Sequence, residues 1–112
     1  MCAHACPKCE RDDRELARMR ATVREVAGSF GIPIERILDG ADRERRATVA
    51  RQVAVWMLSE RFPRATYDRI ARLTGYRERS GPSHALGYVE RRMRVDPRLH
   101  AHIASLREQV AA

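Results

Sequence analysis

The sequence contains a single lysine, Lys8, although lysine and arginine together number 22. A phosphate-binding loop of the form G-x-x-x-x-G-K-[ST] requires a lysine after glycine, and Lys8 lies in "CPKC", so this type of ATPase site is excluded. No apolar run approaches the roughly 18 residues that a membrane-spanning helix needs. The start, "MCAHACPKC", also lacks the apolar core of an export signal. We therefore expect a cytoplasmic protein with no nucleotide and no membrane partner.

The formal net charge of the chain is +7, and arginine supplies nearly all of its positive charge. A genome rich in G and C also raises arginine at the expense of lysine, so charge alone favours nucleic acid only mildly. An anionic membrane is a weaker candidate, because every basic amphipathic segment also carries acidic residues on its polar face. Together with the motifs described below, the charge favours a nucleoid-associated protein.

Apolar residues recur at helical spacing along the chain, and no segment alternates as a strand would. The expected fold is all-α: a compact domain of five to six helices over residues 12–112, preceded by a flexible tail over residues 1–11. Helices are predicted at about 12–30 and 34–38, around Trp56, from Thr66 to Gly75, from Pro82 to about Arg94, and at about 97–111.

The segment "ADRERRATVARQVAVWMLSER", residues 41–61, changes character in its middle. Its first half is basic and is expected to form a loop. Its second half, from Val53 to Leu58, is apolar on nearly every side, which is typical of a helix at the centre of a small domain. Trp56 is accordingly interpreted as a core residue rather than as a platform for a ligand.

The stretch "GYRERSGPSHALGYVERR", residues 75–92, interrupts an arginine cluster with Gly-Pro and continues as an amphipathic helix. A short helix that ends at Gly75, a tight connection and a second helix with a polar outer face form a helix-turn-helix. Arg77 and Arg79 would then lie beside a helix N-terminus, whose free N–H groups attract phosphate. The alternative is a solvated loop whose arginines pair with Glu78 and Glu90.

The segment "RIARLTGYRERSGPSHA" resembles the signature of the C-terminal DNA-binding domain of DnaA, the bacterial chromosomal replication initiator, as a stand-alone domain without the ATPase module. Upstream, "RRATVARQVAVWML" and "VREVAGSFGIPIERILDG" are similar to the basic loop with its following helix and to the opening segment of that family. The resemblance spans about residues 22 to 94 and implies a Trp-repressor-like fold with its helix-turn-helix at about 66–94. The signature positions that match are Ile70, Gly75, Arg77, Ser80, His84 and Ala85.

The resemblance also implies roles for individual residues. Arg43 would enter the minor groove, Arg51 and Gln52 would hold phosphates, and Arg79 with the residues after it would face base edges in the major groove. The set of candidate DNA-binding residues is Arg43, Arg45, Arg46, Arg51, Gln52, Arg77, Arg79, Ser80, Ser83 and His84.

The chain departs from the family pattern at the positions that read sequence. Arg79 replaces a histidine, Gly81 a threonine and Pro82 a valine, and Ala50 replaces the proline before the arginine-glutamine pair. An arginine at a base edge favours the O6 and N7 atoms of guanine. The departures therefore predict a preferred site different from the initiator's own.

Three cysteines and a histidine cluster at the N-terminus as Cys2, His4, Cys6 and Cys9. Their C-x-x-C spacing is that of a zinc knuckle, but Cys2 and His4 are too close together to form a normal second ligand pair. Zinc binding and a reduced, flexible tail both remain open, and no metal or other cofactor is assigned. His100 and His102 are interpreted as surface residues.

The leading hypothesis is a sequence-preferring double-stranded DNA-binding protein that regulates transcription or replication in a bacterium or a phage-like element. The alternative is a protein-interaction module on a helix-turn-helix fold that no longer reads DNA. An enzyme is not expected, because the sequence contains no paired carboxylates and no nucleophile-base pattern. The two leading hypotheses differ in whether the arginines form one free surface or are paired with carboxylates.

Overall fold

The computed structural model describes residues 7–111, with side-chain surroundings from Glu10 to Gln109. This part of the chain forms helices and no strand, as the sequence predicted. The helices are α1 (Pro7–Ser29), α2 (Ile34–Leu38), α3 (Arg45–Arg61), α4 (Tyr67–Thr74), α5 (Ser80–Val95) and α6 (Pro97–Ala111).

Helix α1 begins at Pro7, earlier than the predicted start near Asp12. The predicted boundary of the flexible tail at residue 11 is therefore wrong, because residues 7–11 already belong to the helix. The apolar stripe that carried the prediction starts only at Leu16, so the polar first turns gave no periodic signal. Further along, Met19, Val23 and Val26 are buried, as the stripe predicts.

Helix α3 lies at the centre of the domain and packs against α1, α2, α4 and α5. It begins at Arg45, where the carboxylate of Glu44 accepts a hydrogen bond from the Ala47 N–H at 3.1 Å. The loop predicted for the first half of the segment is therefore wrong from Arg45 onward. Glutamate is an uncommon N-cap, so the sequence offered no strong start signal here.

The core is built largely from α3 and the residues that face it. Val53, Val55 and Leu58 have no exposed surface, and Ile37, Ile70 and Ile103 of α2, α4 and α6 belong to the same buried cluster. Trp56 packs against this core but is only partly buried, and the guanidinium carbon of Arg107 lies over its indole, 5.9 Å from the ring centre.

Helices α4 and α6 have the caps that their sequences predict. The Thr66 hydroxyl accepts from the Arg69 N–H, and the Asp96 carboxylate accepts from the N–H groups of Arg98 and Leu99. The first residue of α4, Tyr67, is 41% exposed, whereas Ile70, Ala71 and Leu73 of the same helix are buried.

Helix α5 begins at Ser80, two residues before its predicted start. Pro82 is thus the third helical residue rather than the first. The position tolerates proline because the first four N–H groups of a helix have no partner within it. Burial of Pro82 adds an apolar contact to the first turn.

Candidate nucleic-acid interface

Helices α4 and α5 are joined by the turn, residues 75–79, in a helix-turn-helix connection. Gly75 closes α4 with a φ of +83°, a left-handed conformation that glycine adopts without strain. A Cβ at this position would lie 2.6 Å from the carbonyl oxygens of Ile37 and Leu38. The turn therefore packs directly on the backbone at the end of α2.

The basic loop, so named after the resemblance although its residues 39–44 carry one arginine, Arg43, and three carboxylates, connects α2 to α3 and touches the turn. A Cβ on Gly40 would overlap the carbonyl oxygen of Gly75, so two glycines allow the two connections to approach closely. Arg43 belongs to the basic loop, and Arg77 and Arg79 belong to the turn. The two connections that carry these arginines are thus far apart in the sequence but meet in space.

Hydrogen bonds within the basic loop and from α2 hold its shape. The Asp39 carboxylate accepts from the Ala41 N–H at 3.0 Å, and the Asp42 carboxylate accepts from the Glu44 N–H at 3.1 Å. Arg36 donates through its Nε to Asp42 at 2.7 Å. This hydrogen bond, with that from the Glu44 N–H, lowers the pKa of Asp42 below its ordinary value.

Arg51 lies beneath the basic loop and is only 5% exposed. Its Nε donates to the Ile37 carbonyl at 2.8 Å. Its Nη2 lies within hydrogen-bonding distance of three more carbonyl oxygens, those of Arg36 at 3.0 Å, Asp39 at 2.6 Å and Asp42 at 3.3 Å.

The predicted phosphate contact of Arg51 is therefore wrong. The guanidinium is buried and satisfies carbonyl groups at the end of α2 that have no partner within the helix. Its role is to fix the basic loop on α3. One sequence signal was present: Arg51 lies on the helical stripe of Ala47, Ala54 and Leu58, all of which are buried.

Gln52, the other predicted phosphate ligand of α3, faces a different side of the helix from Arg51. It is partly buried and lines a cleft with Tyr88 and Arg92, in the second half of α5. The two neighbours in the sequence thus point toward α2 and toward α5, and do not form one phosphate site.

The remaining arginines of the predicted interface are exposed. Within the described part of the chain they form no salt bridge with any carboxylate. Two of the carboxylates that could have paired with them have other partners: Glu44 lies 3.4 Å from Arg36, and Glu60 lies 2.8 Å from Arg107. The exposed set is Arg43, Arg45, Arg46, Arg77 and Arg79.

The first turn of α5 presents Ser80, Ser83 and His84 to solvent. No side chain caps this helix end, because Arg79 occupies the N-cap position and makes no capping hydrogen bond. Within this first turn Gly81 donates its N–H to the Glu78 carbonyl at 3.1 Å and Pro82 has no N–H, so the N–H groups of Ser80 and Ser83 are the ones left without a backbone partner in the described residues. Gly81, the second residue of α5, packs against the turn, since a Cβ there would lie 2.5 Å from the ring of Tyr76.

The outer face of α5 continues with two exposed arginines, Arg91 and Arg94, which the predicted interface omitted. Gly87 lies on this face, and a Cβ there would be 3.3 Å from the guanidinium of Arg91. The missing side chain thus lets Arg91 lie along the helix, next to the face of Ser83 and His84. Helical spacing from Gly87 was the signal that could have added Arg91 to the set.

Comparison with protein-family models, with curated proteins and with solved structures finds no match to this chain. The resemblance to the DnaA C-terminal domain accordingly stays a prediction from the signature residues.

Two further findings concern the part of the chain that the structure describes. None of its helices combines the length and the apolar character needed to cross a lipid bilayer. Its His, Cys, Asp and Glu side chains form no group of three that could hold a metal ion. Cys2, His4 and Cys6 precede the described residues, and the side chain of Cys9 lies outside them, so the zinc hypothesis falls outside the structure.

Proposed function

We propose that this chain is a sequence-preferring double-stranded DNA-binding protein, without enzymatic activity, that regulates transcription or replication in a bacterium or phage-like element. One observation carries the proposal: the basic loop and the turn meet through Gly40 and Gly75, and Arg43 of the loop and Arg77 and Arg79 of the turn are exposed and form no salt bridge within the described residues. The signature shared with the DnaA C-terminal domain supports the same function.

In this proposal the first turn of α5 enters the major groove. Its free N–H groups and the neighbouring Arg77 bind phosphate, while Arg79, Ser83 and His84 approach base edges. Arg43, at the tip of the basic loop, enters the adjacent minor groove, where arginine responds to groove width. Phosphate contacts provide most of the affinity, and base contacts provide the preference.

The first experiment selects bound duplexes from a random pool with the full chain. We expect an enriched sequence that contains guanine at one or two positions. Arg79→Ala should cost about 1–3 kcal/mol on that sequence and relax the preference at those guanines, with little change on random DNA. Arg24→Ala, on the exposed face of α1, is the matched control. It should change neither the affinity for the selected sequence nor the affinity for random DNA.

Arg43→Ala should reduce preference at a separate A·T-rich position, about half a helical turn from the guanines. If Arg43→Ala and Arg79→Ala weaken specific and random duplexes equally, both connections hold phosphate only, and sequence reading by this surface is refuted.

Salt dependence tests the phosphate contacts separately. Five or six contacts predict a log-log slope of about −5 for affinity against salt concentration. Arg46→Ala should weaken binding to all duplexes alike and make that slope shallower by about 1. An affinity that does not change with salt, or a selection that enriches nothing, would instead favour a module that binds a partner protein.

A further inference from the structure

A cleft of about 250 Å³ lies between α3, α5 and α6, on the side of α3 that carries Gln52. Its walls are mainly apolar and include Val49 and Val53 of α3, Val89 of α5 and Leu99 of α6. Phe30, at the end of α1, also lines the cleft. The volume corresponds to about eight water-sized groups, which is enough for a ligand of about ten non-hydrogen atoms.

More positively than negatively charged side chains line this cleft. Asp96 is its only lining carboxylate among the described residues, and Arg92 already pairs with it at 2.9 Å while also donating to the Tyr88 hydroxyl at 2.8 Å. Arg45 and Arg98 line the same cleft and form no salt bridge within the described chain. The cleft therefore combines apolar walls with two uncompensated guanidinium groups.

The stacked rings of His102 and Phe30 also line the cleft. Their rings stack with centres 4.3 Å apart, and the imidazole Nε2 lies 3.0 Å from the Ser29 hydroxyl. A flat aromatic wall beside aliphatic side chains favours a planar or branched apolar group over a sugar or a peptide backbone.

We propose that this cleft binds a small organic carboxylate, with its apolar body between Val49, Val89 and Leu99 and its carboxylate on Arg45 and Arg98. Charge complementarity determines the class of ligand: Arg45 and Arg98 are exposed, and a carboxylate accepts charge-assisted hydrogen bonds from either guanidinium, whereas a neutral molecule of the same shape leaves both hydrogen-bonded to water.

The position of Arg45 also links ligand binding in the cleft to DNA binding. This second inference rests on the proposed function. Arg45 belongs to the exposed arginines next to the basic loop and lines the cleft as well. A bound carboxylate would neutralise its charge and hold its guanidinium toward α6. The ligand therefore acts as an effector that lowers affinity for DNA.

The first test measures ligand binding without DNA. Phenylacetate is the probe and phenylacetamide its neutral match, and both are titrated into the isotopically labelled full chain and followed by NMR. We expect phenylacetate to bind with a dissociation constant at or below about 1 mM and to shift the signals of Val49, Val89 and Leu99. Phenylacetamide should bind at least about tenfold more weakly, because it lacks the charge-assisted hydrogen bonds.

Two variants and one control locate the site. Val49→Phe fills the cleft and should abolish binding, and Arg98→Gln should weaken phenylacetate about tenfold without affecting phenylacetamide. Arg94→Gln, an exposed arginine that does not line the cleft, should bind phenylacetate normally. Equal binding of the two probes, no binding of either, or shifts elsewhere in the molecule would overturn the site.

The second test adds the preferred duplex and compares sodium phenylacetate with sodium chloride at equal concentration. Phenylacetate should weaken DNA binding several-fold beyond the effect of salt, and Val49→Phe should remove this difference. If phenylacetate binds but leaves DNA affinity unchanged, the effector role is overturned. If the chain binds no duplex at all, the proposed function fails, while the probe titration still decides whether the cleft binds carboxylates.

Discussion

The basic loop and the turn carry exposed arginines and touch each other, but different forces hold their shapes. Hydrogen bonds fix the basic loop: Asp39 and Asp42 bind loop N–H groups, and Arg51 binds loop carbonyls from below. Close packing fixes the turn instead, with Gly75 against the end of α2 and Gly81 against the ring of Tyr76.

The difference teaches that one interface can be assembled from parts with different weak points. A segment held by hydrogen bonds depends on particular donors and acceptors, and a buried acceptor that loses its donor is costly. A segment held by close packing depends on the absence of a side chain, so adding one carbon damages it. Substitutions can therefore affect each connection separately.

The largest effect should come from removing the donor under the basic loop. Arg51→Met keeps an apolar stem but leaves carbonyls at the end of α2 without their donor, and we expect unfolding to become easier by about 3 kcal/mol. Arg46→Met, one turn earlier and exposed, should change stability by less than about 0.5 kcal/mol. Urea denaturation compares them, and equal stabilities would refute the role given to Arg51.

The contact between the two connections should be the next most sensitive point. Gly75→Ala combines a positive φ with overlap on the Ile37 and Leu38 carbonyls, and should cost about 2–3 kcal/mol. Gly31 also has a positive φ, of +69°, but no atom within 4 Å of an added Cβ, so Gly31→Ala should cost only about 1–2 kcal/mol. Thermal unfolding of both variants isolates the packing cost. Equal losses of stability in the two variants would mean that the contact of Gly75 with the end of α2 contributes nothing.

A smaller effect is expected where the turn packs on a movable side chain. Gly81→Ala places a Cβ 2.5 Å from the ring of Tyr76 and 3.0 Å from its Cβ, so the ring must turn away and stability should fall by about 1–2 kcal/mol. Burial raises the pKa of the Tyr76 hydroxyl, and displacement of the ring toward solvent should bring this pKa down toward its ordinary value. An absorbance titration of the protein with Tyr67 and Tyr88 replaced by Phe would measure the pKa of the Tyr76 hydroxyl. An unchanged titration would indicate that the ring had not moved.

The smallest effect concerns the charge of the basic loop. Because the hydrogen bond from Arg36 lowers the pKa of Asp42 in the folded state, the unfolded chain takes up its proton first as pH falls. The stabilisation by Asp42 is therefore present at neutral pH and is lost as pH falls below the ordinary value of 3.8. Asp42→Asn should show a flatter fall in stability through this range. Asp12→Asn, exposed on α1, is the control and should match the parent protein.

The local features of the fold could be predicted from the sequence because their causes are local. Ile34–Leu38 was predicted with its observed bounds, and Thr66 and Gly75 marked the ends of α4 through a cap and a left-handed glycine. The start of α3 was missed because Glu44 is a weak start signal. The start of α5 was missed because Pro82 suggested the first helical position although it occupies the third.

The candidate site could be predicted only in part, because two of its residues depend on contacts across the chain. Arg51 was assigned to phosphate because the resemblance implies that role, whereas its carbonyl partners in this chain lie 9 to 15 residues earlier. Gln52 was assigned by the same resemblance, although adjacent residues point about 100° apart on a helix, so the two could not both face one phosphate site.

The anchoring of the basic loop by Arg51 has a consequence for how the protein can diversify. The donor that holds the loop backbone belongs to α3, so the exposed side chains of Ala41 and Arg43 contribute little to the path of the chain. The residues that fix the path of the loop are therefore different from those whose side chains the loop exposes. Under the proposed function, new sequence preferences would arise by single exchanges at Ala41 or Arg43 on an unchanged scaffold, and a library randomised there while Arg51 is retained would consist mostly of folded members.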